Sequence, residues 1–331
     1  MRHLLLVVLL LGLPPLTPLL LAAGPSQQSG ASGGSKLRPI RVIVFTPDAA
    51  TVAARARGLF AVEGLDVELI VTPNSTVQMR GLSDGTYDIA FTAFDNVLAW
   101  SGREGAEIVA IAQVEASPTL PVFARSEVAS WEDLRGRPLA VDAVDTAFAL
   151  VLRAILLAQG LDLERGDYTL VPVGATQARF ASITQGDTVA GILNPPWDAR
   201  AREAGLRYLG DQREVLPHYP GTVIAVNRTW ARANSDLVRG FLRGWRAGRQ
   251  WVADHPDEAQ RLLAAELNVS PEVAADRLHQ LLVRPELDLA GLQSVLDLRL
   301  QFGYQLPMGP ELARYVDRSY LPDLGSSAAG G

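Results

Sequence analysis

Gly58-Leu-Phe-Ala-Val-Glu-Gly-Leu-Asp-Val-Glu-Leu-Ile-Val71, followed by Gly81-Leu-Ser-Asp-Gly-Thr-Tyr-Asp-Ile-Ala-Phe-Thr-Ala-Phe-Asp-Asn96, decides the fold class. The two stretches read as helix, glycine stop, strand, then helix, glycine turn, strand. Val67, Leu69 and Val71 alternate with Glu68 and Ile70, and Ile89-Ala-Phe is a short apolar run. Both runs suit parallel strands fed by short helices. Small polar residues follow each strand: Thr72, Asn74, Ser75 and Thr76 after the first, Thr92, Asp95 and Asn96 after the second. In an open α/β sheet a ligand binds where strands end and helices begin.

The same grammar runs outward in both directions. Arg41-Val-Ile-Val-Phe is the first strand, and Thr46-Pro-Asp leads into a helix around Val52 to Leu59. Ile108-Val-Ala-Ile-Ala-Gln is a further strand, after which Ser117-Pro and Leu120-Pro mark a change of direction. A second block repeats the pattern with strands at Pro138-Leu-Ala-Val-Asp, Tyr168-Thr-Leu-Val-Pro-Val and Thr188-Val-Ala-Gly-Ile-Leu. Its helices run from Ala147 to Gln159 and from Gly174-Ala-Thr through Ile183. Thr222-Val-Ile-Ala-Val-Asn reads as a strand returning to the first block, and the remainder is helical. Ser235 suits an N-cap there, with Val238, Phe241, Leu242 and Trp245 at helical spacing. Arg239, Arg243, Arg246 and Arg249 run along the same helix, and a solvated face is favoured over a docking face.

The chain therefore crosses between two α/β lobes twice, near Ser117–Val122 and near Tyr219–Thr222, which makes a hinge with a ligand cleft between lobes. The expected division is a leader at 1–23, a flexible linker at 24–37 and lobe 1 at 38–117. Lobe 2 follows at 118–220, a second, helical part of lobe 1 at 221–324, and a disordered tail at 325–331. Met1-Arg-His, the apolar run Leu4 to Ala23 and the Gly/Ser-rich stretch after it have the order of a secretory signal peptide. Cleavage after Ala23 or Ala31 fits. An N-terminal membrane anchor is the alternative, and Pro14, Pro15 and Pro18 argue against it. The folded part is expected outside the cytoplasm.

Composition narrows the chemistry. The chain has 331 residues, 48% hydrophobic and 20% charged, with a net charge of −6, and this suits two lobes of ordinary size. No long basic run argues for nucleic acid. With no cysteine, thiol catalysis, disulfides and cysteine metal sites are excluded. The histidines at 3, 218, 255 and 279 lack ligand spacing, so no metal site is expected. Lys36 is the only lysine, which leaves none in the folded part for Schiff-base chemistry. There is neither Gly-x-Ser-x-Gly nor a phosphate-binding glycine loop. No cofactor and no enzymatic activity are expected.

The quoted residues resemble a known family. Gly58 to Val67 and Leu82-Ser-Asp-Gly-Thr-Tyr-Asp-Ile-Ala are similar to the opening of the nitrate/sulfonate/taurine- and thiamine-pyrimidine-type solute-binding proteins of ABC transporters. Leu134-Arg-Gly-Arg-Pro-Leu-Ala-Val-Asp resembles the strand entering their second lobe, and Gln185-Gly-Asp-Thr-Val-Ala-Gly-Ile-Leu-Asn-Pro-Pro a later strand and cleft loop. Thr92-Ala-Phe-Asp-Asn resembles a Thr-x-x-Asp-Asn variant among such proteins. The resemblance runs in order over about residues 38 to 260. It implies a type II periplasmic-binding fold, capture of a small solute, a monomer, and a membrane permease with its ATPase as partners.

Strand ends supply the candidate ligand-binding residues: Thr46, Asp48, Ser75, Thr76, Thr92, Asp95 and Asn96 from lobe 1, and Asp145, Thr146, Gly174, Thr176, Asn194 and Trp197 from lobe 2. For Thr76, Asp95, Thr146 and Thr176, capping a helix and touching a ligand stay equally open. Gly174 lets a ligand approach the backbone. Trp197 either packs at a lobe interface or stacks on a flat ligand. Asp48, Asp95, Asp142 and Asp145 fall near strand ends, and no arginine is seen there. An anion wants open helix dipoles or an arginine fork. The balance thus favours a neutral or cationic heteroaromatic or amine, such as a pyrimidine precursor of thiamine, over sulfonate or nitrate. A ligand-sensing module without transport is the competing reading, and an enzyme on the same fold a remote one.

Overall fold

A computed structural model describes residues 36–145, 147–279, 281 and 286–321. The leader, the linker up to Ser35, the tail 325–331 and Thr146 lie outside the described residues. In chain order the first part holds β1 (Arg38–Val44), α1 (Ala49–Ala56), α2 (Leu59–Val62), β2 (Leu65–Val71), α3 (Ser75–Asp84), β3 (Ile89–Thr92), α4 (Phe94–Trp100) and β4 (Ile108–Gln113). The middle part holds β5 (Pro121–Ala124), β6 (Pro138–Val141), α5 (Phe148–Ala158), β7 (Thr169–Pro172), α6 (Thr176–Gln185), β8 (Ala190–Ile192), α7 (Trp197–Glu203) and β9 (Arg207–Asp211). Then come β10 (Val223–Asn227), α8 (Arg228–Ala233), α9 (Ser235–Asp254), α10 (Pro256–Leu267), α11 (Pro271–His279) and α12 (Leu289–Gln301).

These strands form two five-stranded sheets, ordered β2-β1-β3-β10-β4 and β7-β6-β8-β5-β9. In each sheet the first three strands of the order are parallel. The fourth is antiparallel to both of its neighbours. That antiparallel strand is the one that has just arrived from the other lobe: β5 in the second sheet, β10 in the first. The two crossing segments run side by side, with Val114 N donating to Thr222 O at 2.8 Å. Gly221 makes the approach possible, since a Cβ there would stand 2.4 Å from Ala116 O and 2.7 Å from Glu115 O.

Local chemistry sets the elements around the cleft. Asp48 is extended and accepts from Ala50 N at 3.0 Å and Thr51 N at 3.1 Å, which starts α1. The single helix expected over Val52 to Leu59 is two, because Gly58 sits in the left-handed region at φ 67 and breaks it. Asn74, not Thr76, caps α3, its side chain accepting from Val77 N at 2.8 Å. Ser235 is likewise inside α9, and the preceding Asn234 turns back to Trp230 O at 2.9 Å.

Helix α9 buries Val238, Phe241, Leu242 and Trp245 beneath the first sheet. Gly240, Gly244 and Gly248, spaced by four, form the stripe that lets α1 and α2 lie against it. A Cβ on Gly244 would meet the Phe60 ring at 2.6 Å, and one on Gly248 would meet Ala50 O at 2.3 Å. Its arginines are not a uniform solvated row: Arg243 pairs with Glu63 at 2.6 Å, and Arg249 is buried over the Trp245 ring.

Gly248→Ala is expected to destabilise the protein by about 1–3 kcal/mol, because the obstacle is a backbone oxygen that cannot rotate away. Helix propensity alone would act the other way, by roughly 0.5–1 kcal/mol. Urea unfolding reads the sign, as a lower midpoint at unchanged slope.

Candidate functional site

A cavity of about 90 Å³ lies between the two sheets. It is built at strand ends, as an open α/β sheet dictates. Lobe 1 lends Phe45, Thr46 and Asp48 from beyond β1, Phe91 and Thr92 at the end of β3, and Asn96 from α4. Lobe 2 lends Asp142 beyond β6, Phe148 from α5, Thr176 and Arg179 from α6, and Asn194 beyond β8. The crossing segments add Glu115 and Thr222, and α11 adds Arg277.

Each polar wall is held from behind. Trp245 Nε1 donates to Asp48 Oδ1 at 3.2 Å, so the carboxylate that starts α1 also faces the cleft in a fixed orientation. Asn96 Nδ2 donates to Thr92 Oγ1 at 2.9 Å. In lobe 2, Thr176 Oγ1 donates to Asn194 Oδ1 at 2.6 Å. Arg179 binds Ile192 O and Gly174 O, each at 3.0 Å, and Thr176 Oγ1 at 2.8 Å. Burial draws the Arg179 guanidinium down to about 10, with Asp142 opposing, so it stays charged at neutral pH. Burial pushes the Glu115 carboxyl above its ordinary range; Arg277 opposes this, Asp48 adds to it, and Thr222 opposes it.

Other polar groups tie the lobes together beside the cavity. Asp142 accepts from Ser75 N at 3.1 Å and from Ser75 Oγ. Ala175 N donates to Pro73 O at 3.0 Å. Asp95 accepts from Ala147 N and from Arg299, whose Nη1 lies 3.2 Å from each of its oxygens. The same Nη1 donates to Asp145 O at 2.8 Å. Arg299, on α12, thus joins an acid of one lobe to the backbone of the other, with both side chains almost wholly buried at 2% and 1% exposure. Burial raises the Asp95 carboxyl above its ordinary range, opposed by Arg299 and the Ala147 amide.

Of the residues expected at the site, Thr46, Asp48, Thr92, Asn96, Thr176 and Asn194 line the cavity. Ser75, Asp95 and Asp145 do not; they belong to the interlobe contacts just described. Thr76 is exposed on α3 and lines nothing in the cavity. Gly174, at φ 108, is approached by the Pro73 carbonyl of the other lobe, 3.3 Å from where a Cβ would stand. Trp197 packs within lobe 2, tilted on Phe180 at 5.4 Å between ring centroids and covered by Arg200 at 4.4 Å. The expectation of a cleft without arginine is overturned by Arg179 and Arg277. Arg179 sits a full turn inside its helix and Arg277 far along the chain, so neither is visible as a strand-end residue. Glu115 was within reach, two residues beyond a strand; Phe45, Phe91 and Phe148 read as ordinary core.

This two-lobed arrangement is the type II periplasmic-binding fold. It superposes on the alkanesulfonate-binding protein SsuA from Xanthomonas axonopodis pv. citri with TM-score 0.70, 18% identity, and coverage of 85% of this chain and 98% of that one. The nitrate-binding protein NrtA from Synechocystis PCC 6803 gives TM-score 0.73 at 13% identity, over 86% of this chain and 87% of that one. At such identities the likeness concerns the fold alone. The NMT1/THI5-like family model matches residues 47–259, and the chain belongs to that family. A formylaminopyrimidine-binding protein of Halalkalibacterium halodurans is 26% identical over 247 residues, covering 72% of this chain and 73% of that protein. A riboflavin-binding protein of Chloroflexus aurantiacus is 24% identical over 251 residues, covering 73% and 70%.

Removing one partner of a buried ion pair leaves an uncompensated charge. Arg299→Met is expected to lower stability by about 3–5 kcal/mol, and Asp95→Asn in the same chain to restore more than half of the loss. Denaturant curves of both variants check this.

Proposed function

We propose that this chain is an extracytoplasmic solute-binding protein that captures a small nitrogen heterocycle between its lobes and hands it to an ABC permease with its ATPase. One observation carries the ligand class: the cavity is lined by Phe45, Phe91 and Phe148 together with the acids Asp48, Glu115 and Asp142. The phenylalanines suit a flat ring, and the acids suit its amino and ring N–H groups. Arg179 supports the same class, because its hydrogen bonds to Gly174 O, Ile192 O and Thr176 tie it to lobe 2 rather than offering a fork to an anion. A volume of about 90 Å³ suits a single small ring; drug-sized sites span about 300–1,000 Å³. The relatives named for a formylaminopyrimidine and for riboflavin both bind nitrogen heterocycles by their names.

Capture works through the hinge. Ser75 with Asp142, Ala175 with Pro73, and Asp95 with Ala147 are contacts that exist only when the lobes meet. A ligand touching both walls adds differential affinity for that state and shifts the population toward it. Residues 38–117 and 221–324 act as one lobe and 118–220 as the other. The leader at 1–23 delivers the protein, as a monomer, across the membrane, and the closed form docks on the permease.

A thermal-shift panel of aminopyrimidines, other heterocyclic amines, polyamines, sulfonates and nitrate tests the reading. A ligand at a hundred times its Kd adds about 2.7 kcal/mol of stability. The expected hits are small heterocycles. Stabilisation by sulfonates or nitrate alone would sink the ligand class while keeping solute capture.

A further inference from the structure

Residues 298–304 leave lobe 1 and return to it. Before them, Asp288 N donates to Gln113 Oε1 at 2.9 Å, which fixes the start of α12 on the end of β4. After them, Val316 bridges Ala110 in parallel register, and Asp317 N donates to Ala110 O at 2.9 Å. Between the two anchors, the end of α12 and the turn that follows lie against lobe 2. Leu298 shares an apolar cluster with Leu150 and Ala154 of α5, and Phe302 and Tyr304 pack against it. Arg153 of α5, whose side chain is 5% exposed, covers the Phe302 ring at 4.3 Å and donates to the Tyr304 hydroxyl at 3.2 Å. That hydroxyl donates to Val144 O at 3.4 Å. Arg299, over the Tyr304 ring at 4.8 Å, donates to the next carbonyl along, Asp145 O, at 2.8 Å.

The gripped segment leads straight into the cavity wall. Ala147 and Phe148, just beyond the two carbonyls, line the cavity. Ala147 has φ 47, a positive value that a residue with a Cβ keeps only where its surroundings impose it. Its N–H donates to Asp95, and Arg299 holds that carboxylate as well. One arginine therefore fixes both the acceptor of the strained residue's amide and the carbonyl two residues before it. Neither Arg299 nor Tyr304 lines the cavity. Their contacts join the lobes by themselves, before any differential affinity of a ligand counts.

We propose that residues 298–304 are a strap, which holds lobe 2 against lobe 1 without a ligand and, through Ala147, sets the lobe 2 wall of the cavity. Arg299 and Tyr304 are positioning residues: they act on a ligand only through the backbone they hold. The strap lies wholly beyond the 47–259 segment that the family model matches. The inference needs the two-lobed hinge and no particular ligand class.

The chain has no cysteine, so two introduced ones carry spin labels at defined places. Arg80→Cys on α3 and Thr184→Cys on α6, both exposed, put one label on each lobe. Pulsed electron paramagnetic resonance on the ligand-free full chain then reads the distance between lobes. With the strap intact, one short distance is expected to dominate. Tyr304→Ala is expected to move most molecules to a longer distance, and Tyr304→Phe, which keeps the ring but loses the hydroxyl, to fall between. Gly248→Ala, which weakens lobe 1 away from the strap, is expected to leave the distance unchanged. Hydrogen exchange gives a second readout. Tyr304→Ala is expected to speed exchange about tenfold in the peptide holding Ala147 and Phe148, with β1 and β3 at their original rates. If the longer distance already dominates with the strap intact, if Tyr304→Ala keeps the short one, or if Gly248→Ala lengthens it as much, the strap is refuted. Exchange that speeds alike throughout the chain refutes the positioning role. Because no ligand enters, each of these results leaves the heterocycle reading of the cleft where it stands.

Discussion

The chain must pass between the lobes twice, and the two passages must lie against each other. This constraint organises the rest of the molecule. Each passage delivers a strand that enters the receiving sheet antiparallel, between parallel strands on one side and an edge strand on the other. The passages touch where Gly221 meets Ala116 and Glu115, a contact without space for a side chain. The two segments are joined there by the hydrogen bond from Val114 N to Thr222 O. Glu115 and Thr222, on these segments, line the cavity.

The C-terminal helices add charged groups to the cleft and to the interlobe contact beside it. Arg277 reaches the cavity from α11, and Arg299 reaches the interlobe contact from α12. A guanidinium is suited to both places because it can hold a carboxylate and a backbone carbonyl simultaneously. Arg277 does so with Glu115 and Pro195 O, Arg299 with Asp95 and Asp145 O. Each arginine therefore lies against groups from both lobes.

Much of the architecture was legible because strands and short helices carry their own periodicity. The glycine-punctuated repeats at 58–96 and 134–196 mark the sheets, and the family resemblance follows the same residues. At the site, Thr46, Asp48, Thr92, Asn96, Thr176 and Asn194 could be named from the rule that ligands gather at strand ends. The rule failed where the other lobe, rather than the cavity, covers a strand end. Ser75 and Asp95 are engaged there by Asp142 and Ala147, and Gly174 faces the Pro73 carbonyl. It also failed for Trp197, which packs on Phe180 within its own lobe.

By itself the sequence determined the local elements, their alternation and the two crossings, because hydrophobic period, glycine and proline act over a few residues. It also determined that the chain has no cysteine and a single lysine, since that depends on composition alone. Only the tertiary structure decided which polar groups face the cavity and which are consumed in joining the lobes. Glu115 and Arg277 are far apart along the chain, as are Asp95 and Arg299. Each pair is formed by elements packed from opposite ends of the sequence, and no local pattern encodes a distance of that kind.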